Sequence, residues 1–125
     1  MNSVEELLDT AKALDVSPIS NASSVAILSS QAGPGIAAAD ICQMSDLAMV
    51  SFNEETQNKI SEILPPLALR TNPVDMGPAW YNSEALAGIL DAVMRDKNVA
   101  GILLFMMFAS ANVNSIKSLS FLLKT

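Results

Sequence analysis

Three short segments hold residue types suited to gripping a phosphate: Ser29-Ser30-Gln31-Ala32-Gly33-Pro34-Gly35, Asn72-Pro73-Val74-Asp75 with Gly77, and Phe108-Ala109-Ser110-Ala111-Asn112. The first offers the hydroxyls of Ser29 and Ser30, the amide of Gln31, backbone N–H donors, and Gly33 and Gly35, which let a ligand come close to the chain. Ser110 and Asn112 add a hydroxyl and an amide. A lone Gly-x-Gly is weak evidence, because a plain strand-to-helix turn has the same composition. It matches neither the dinucleotide pattern, which needs a third glycine, nor the nucleotide loop that ends in Gly-Lys-Ser/Thr.

Other chemistry is mostly excluded. The chain has no histidine, so it lacks the commonest general base and the commonest metal ligand. Its one cysteine, Cys42, has no internal partner and reads as a buried, inert thiol. Asp75 as a metal ligand or a receiver-like phosphoryl acceptor would need acidic residues after the first strand, where Ser29, Ser30 and Gln31 stand instead. A turn-stabilising Asp75 is therefore expected. Trp80 and Tyr81 fit an exposed partner anchor and a core cap equally well. Met106 and Met107 read as core filler.

Placing these residues requires alternating strands and helices. Val25 to Leu28 is a short continuous apolar run, suited to a strand buried on both faces and cut off by Gly33-Pro34-Gly35. A small-residue helix follows over Ile36 to Met44. Leu47 to Phe52 is a second strand; Asn53 caps a helix carrying Ile60, Ile63 and Leu64, which Pro65 and Pro66 stop. The stretch from Thr71 to Gly77 holds a very short strand and a loop. Ser83 is expected to cap a helix whose stripe is Leu86, Ile89, Leu90 and Val93. Val99 to Phe108, the most hydrophobic stretch, should be a central strand, followed by a final helix from Val113 to Leu123. Ahead of all this, Ser3 caps a helix in which Val4, Leu7, Leu8 and Ala11 recur at helical spacing, and Val16 to Ser23 is a polar connector. Strand–helix alternation without hairpin signals implies parallel pairing and right-handed crossovers.

At 125 residues and 50% apolar, the chain has the size of one compact domain. Thirteen acidic and seven basic residues give a net charge of −6, which disfavours nucleic acid and anionic membranes as partners. The longest apolar run, Val99 to Ala109, is about half of a bilayer span. A cytoplasmic setting fits best.

Read in order, Ser24 to Asp40 resembles the start of the succinyl-CoA-ligase-like flavodoxin domain of NDP-forming acyl-CoA synthetases. Glu54-Glu55-Thr56 with Ile63-Leu64-Pro65-Pro66 looks like that family's second helix. Thr71-Asn72-Pro73-Val74-Asp75 looks like its Asn-Pro-Val-Asp motif, Asp96 to Leu104 like its lead into the next strand, and Ser3 to Ala11 like the segment before the domain. Ser30 stands where asparagine is frequent and Ala32 where glycine is frequent; alanine adopts positive φ less cheaply, which argues against close phosphate approach there.

The resemblance implies a three-layer, flavodoxin-like open parallel sheet of about four strands with helices on both faces. It places an N-terminal helix and connector at 1–23 and the domain at 24–125, cut short before a last strand. It further implies a parent enzyme that interconverts acyl-CoA, nucleoside diphosphate and phosphate with acid, CoA and nucleoside triphosphate through a phosphohistidine. The parent would use CoA, nucleotide and Mg; this chain would carry no cofactor and show no ligase activity alone. It would pack against histidine-bearing and CoA-binding domains, in the same or a partner chain, with an oligomer compatible. Ser29, Ser30, Gln31, Gly33, Gly35, Ser110 and Asn112 are then the phosphate-binding candidates, and Asn72, Pro73 and Asp75 a structural motif. A stand-alone interaction module and a small flavodoxin-like or receiver-like ligand-binding protein are the alternatives.

Overall fold

The computed structural model describes residues 3–16, 23–45, 47–107, 109–110, 113–114 and 117. Its elements are α1 (Val4–Val16), β1 (Ser24–Ser29), α2 (Ala32–Gln43), β2 (Ala48–Met49), α3 (Glu54–Ile63), β3 (Val74–Asp75), a 3-10 turn (Gly77–Tyr81), α4 (Ser83–Arg95) and β4 (Gly101–Phe105). Asn112 and most of the final helix expected from Val113 to Leu123 lie outside the described residues.

All strand pairs are parallel and all involve β1. β4 runs beside β1 from Val25 to Ser29. The other edge of β1 is shared: β2 pairs with Ser24 and Val25, and β3 with Leu28 and Ser29. Among the described residues the strand paired on both edges is Val25 to Leu28 with its flanking serines, and β4 pairs with it along one edge. Leu47 to Phe52 contributes only two strand residues.

Helices cover both faces, as the alternation predicts. Val25 and Ile27 meet Ala38, Ala39 and Cys42 of α2. On the opposite face Ala26 and Leu28 join Ile60 of α3 and Leu86, Ile89, Leu90 and Val93 of α4. Cys42 is buried, as expected. Trp80 is fully buried in the α3–α4 core, so it is a core cap, while Tyr81 is half exposed. Met76 fills the core, but Met44, Met94, Met106 and Met107 are exposed, so core filling describes only part of the methionine set.

Caps fix the helix starts. The Ser3 hydroxyl accepts the N–H of Glu6 at 3.0 Å, and Asn53 Oδ1 accepts the N–H of Thr56 at 2.8 Å. The cap of α4 is Asn82, one residue ahead of the expected Ser83: its Oδ1 accepts the N–H groups of Glu84 and Ala85. Asn82 still has extended backbone, so its carbonyl amide can fold back over the first turn.

Asp96, 2% exposed, ties the end of α4 to the start of α3. Its carboxylate accepts the N–H groups of Asn53 and Asn98, each at 2.9 Å. Burial alone would raise its pKa, but the N–H groups of Asn98 and Asn53 outweigh burial and hold it below the ordinary value. A lowered folded pKa means that the unfolded chain binds more protons on the acid side. The contribution is therefore complete above the ordinary carboxylate pKa of about 4 and is lost as pH falls through the folded value. Asp96→Asn is expected to cost about 2 kcal/mol at neutral pH and to flatten the acid limb of stability. Urea unfolding at several pH values from neutral to strongly acid checks both.

Candidate functional site

The carboxyl ends of β1, β3 and β4 meet at one edge of the sheet, the place where open parallel sheets gather ligands. The Ser30 N–H donates to the carbonyl of Phe105, and the Ser30 hydroxyl accepts the N–H of Met107, both at 3.1 Å. The Met76 N–H donates to the Ser29 carbonyl at 2.8 Å. The first two segments read from the sequence thus meet at this edge beside the end of β4; of the third, Phe108, Ala111 and Asn112 lie outside the described residues and Ser110 is exposed.

Within this edge the candidates divide. Ser29 is 1% exposed, and its hydroxyl donates to the Gln31 carbonyl and accepts the Gln31 N–H, so it is engaged in building the turn. Gln31 is the N-cap of α2 and its exposed side chain makes no capping bond. Gly33, Pro34 and Gly35 are not in a loop: α2 begins at Ala32, four residues before the expected start. Proline is tolerated there because first-turn N–H groups have no intrahelical acceptor. Ala32 carries no conformational penalty either, since Gly77 is the one glycine at positive φ among the described residues and no other residue type adopts it. The objection to Ala32 raised from sequence falls away.

What Gly35 provides is proximity. A Cβ there would stand 3.2 Å from Cβ of Ser29 and 3.5 Å from Cβ of Pro73, whereas a Cβ on Gly33 meets nothing within 4 Å. Both neighbours of Gly35 are backbone-anchored and cannot rotate away. Gly35→Ala is expected to destabilise by about 1–3 kcal/mol. Gly33→Ala, on the same turn, should stabilise by about 0.5 kcal/mol by restricting the unfolded chain. Thermal melts of the two variants should shift in opposite directions.

The Asn72-Pro73-Val74-Asp75 motif is structural throughout. Asn72 Oδ1 accepts the N–H of Ile27 at 2.8 Å, and its Nδ2 donates to the carbonyls of Val25 (2.8 Å) and Val50 (3.0 Å). The side-chain amide thereby fills the gap on β1 between the end of β2 and the start of β3. Pro73 backs Gly35. Asp75 accepts the N–H of Gly77 at 3.0 Å, an Asx turn that holds the positive φ of Gly77.

Electrostatically, α2 stands apart. The first turns of α1, α3 and α4 carry Glu5 and Glu6, Glu54 and Glu55, and Glu84, and each helix has a side-chain cap. The first turn of α2 has no acidic residue and no side-chain cap. Its positive end and the first-turn N–H donors of Ala32 and Gly33 are left for an external anion. On the other side of the sheet, a groove of about 730 Å³ between α3 and α4 is lined by Glu54, Glu55, Glu62 and Asp91, with Lys59 and Arg95 paired to Glu62 and Asp91. It suits a phosphate poorly. Among the described residues no cluster of His, Cys, Asp or Glu forms a metal-ligand set, and no helix is long and apolar enough to cross a membrane.

No protein-family model matches the chain. Among characterised proteins it is similar to the ADP-forming acetate-CoA ligase I of Archaeoglobus fulgidus, 36% identical over 94% of this chain and 16% of that protein. It is also similar to the alpha subunit of the ADP-forming acetate-CoA ligase II of Pyrococcus furiosus, 31% identical over 78% of this chain and 21% of that one. The chain thus spans about a sixth to a fifth of these relatives. A solved protein of Pyrococcus horikoshii superposes with a TM-score of 0.77 at 26% identity, covering 96% of this chain and 29% of its own. The fold also matches acetyl-coenzyme A synthetase 1 of Ca. Korarchaeum cryptofilum, solved in complex with phosphate and ADP, at a TM-score of 0.59 and 21% identity over 99% of this chain and 33% of that one.

Proposed function

We propose that this chain, a homologue of one domain-sized segment of ADP-forming acyl-CoA ligases, serves such a synthetase as the domain that presents the α2 N-terminus to a transferred phosphoryl group. The parent reaction in this reading converts acyl-CoA, nucleoside diphosphate and phosphate into acid, CoA and nucleoside triphosphate. The phosphoryl carrier is a histidine of a neighbouring domain, since this chain contains none. CoA, nucleotide and magnesium belong to polypeptide beyond this chain, the setting is cytoplasmic, and the chain alone has no ligase activity.

The observation that carries the reading is the acid-free, uncapped start of α2 at the edge where β1, β3 and β4 end. Fixed N–H dipoles there need no reorganisation to stabilise a phosphoryl group, which is how preorganised donors lower a transfer barrier. Gly35 and Asn72 set the position of that helix end; the exposed Gln31 and the N–H groups of Ala32 and Gly33 supply the contacts, with Ser30 locking β4 alongside.

Inorganic phosphate is expected to raise the melting temperature, because ligand at a hundred times its dissociation constant adds about 2.7 kcal/mol. Chloride at equal ionic strength should not. Equal shifts in the two salts would contradict the reading.

A further inference from the structure

We draw no further inference here: the strongest candidate, the apolar outer face of α2 at Ile36, Ile41 and the C-cap Met44, is exposed among the described residues, and nothing in the structure shows what covers it.

Discussion

Asn72→Leu should come close to unfolding the protein, with an expected cost of about 2–6 kcal/mol. The Asn72 amide is the partner of three backbone groups on one sheet edge: the N–H of Ile27 and the carbonyls of Val25 and Val50. Leucine has nearly the same volume, so the packing changes little, but the Ile27 N–H and the Val50 carbonyl lose the Asn72 bond at about 1–3 kcal/mol each, while the Val25 carbonyl keeps the N–H of Val50. Domains of this size hold only about 5–15 kcal/mol in total. Asn72→Asp separates the terms: it keeps the acceptor for Ile27 and replaces a donor by a second oxygen facing two carbonyls. It should therefore be no better than leucine, whereas a merely steric role for Asn72 would leave it near wild type. Urea unfolding of both variants decides between these.

Trp80→Ala ranks beside it, at about 3–5 kcal/mol, the usual cost of emptying a large aromatic site. Trp80 is fully buried among core residues that include Leu86 and Met76, and its indole N–H donates to the Met107 carbonyl at 3.0 Å. That bond also ties the segment after β4 to the 3-10 turn, so its loss should loosen the carboxyl edge of the sheet as well as the core. Trp80→Phe retains most of the apolar area and drops the bond, and about 1–2 kcal/mol is expected. As the one tryptophan of the chain, Trp80 reports on itself: its native emission should be blue-shifted and should move to the red on unfolding.

Local patterns carried much of the fold into view. The Val25 to Leu28 run is nearly inaccessible, and the stripe of Leu86, Ile89, Leu90 and Val93 is buried as its spacing requires. The start of α2 was hidden because Gly33-Pro34-Gly35 looks like a breaker in any short window, and only the first-turn exemption lets it be helix. Asn72 was readable as part of a motif, but its role depends on β2 and β3 both stopping short of full pairing, a nonlocal fact. Asp96 was missed as a clamp between α3 and α4; the Asp-x-Asn spacing of Asp96 and Asn98 hints at its turn, and nothing local points to Asn53.

For the site, the meeting of the segments after β1 and around β3 at the carboxyl edge followed from the parallel pairing of the sheet. What the residue types could not convey was how each group is spent. Ser29, the most attractive hydroxyl on paper, is buried in its own turn, while the plain backbone of Ala32 and Gly33 holds the available donors.

The central claim is that the start of α2 receives a phosphoryl group, and a titration of the isotopically labelled chain with inorganic phosphate, followed through its amide signals, tests it most directly. Saturable shifts at Ala32 and Gly33, with the first turns of α3 and α4 unmoved, are the predicted result. Shifts that never saturate, or that are equal at all three helix starts, would contradict it.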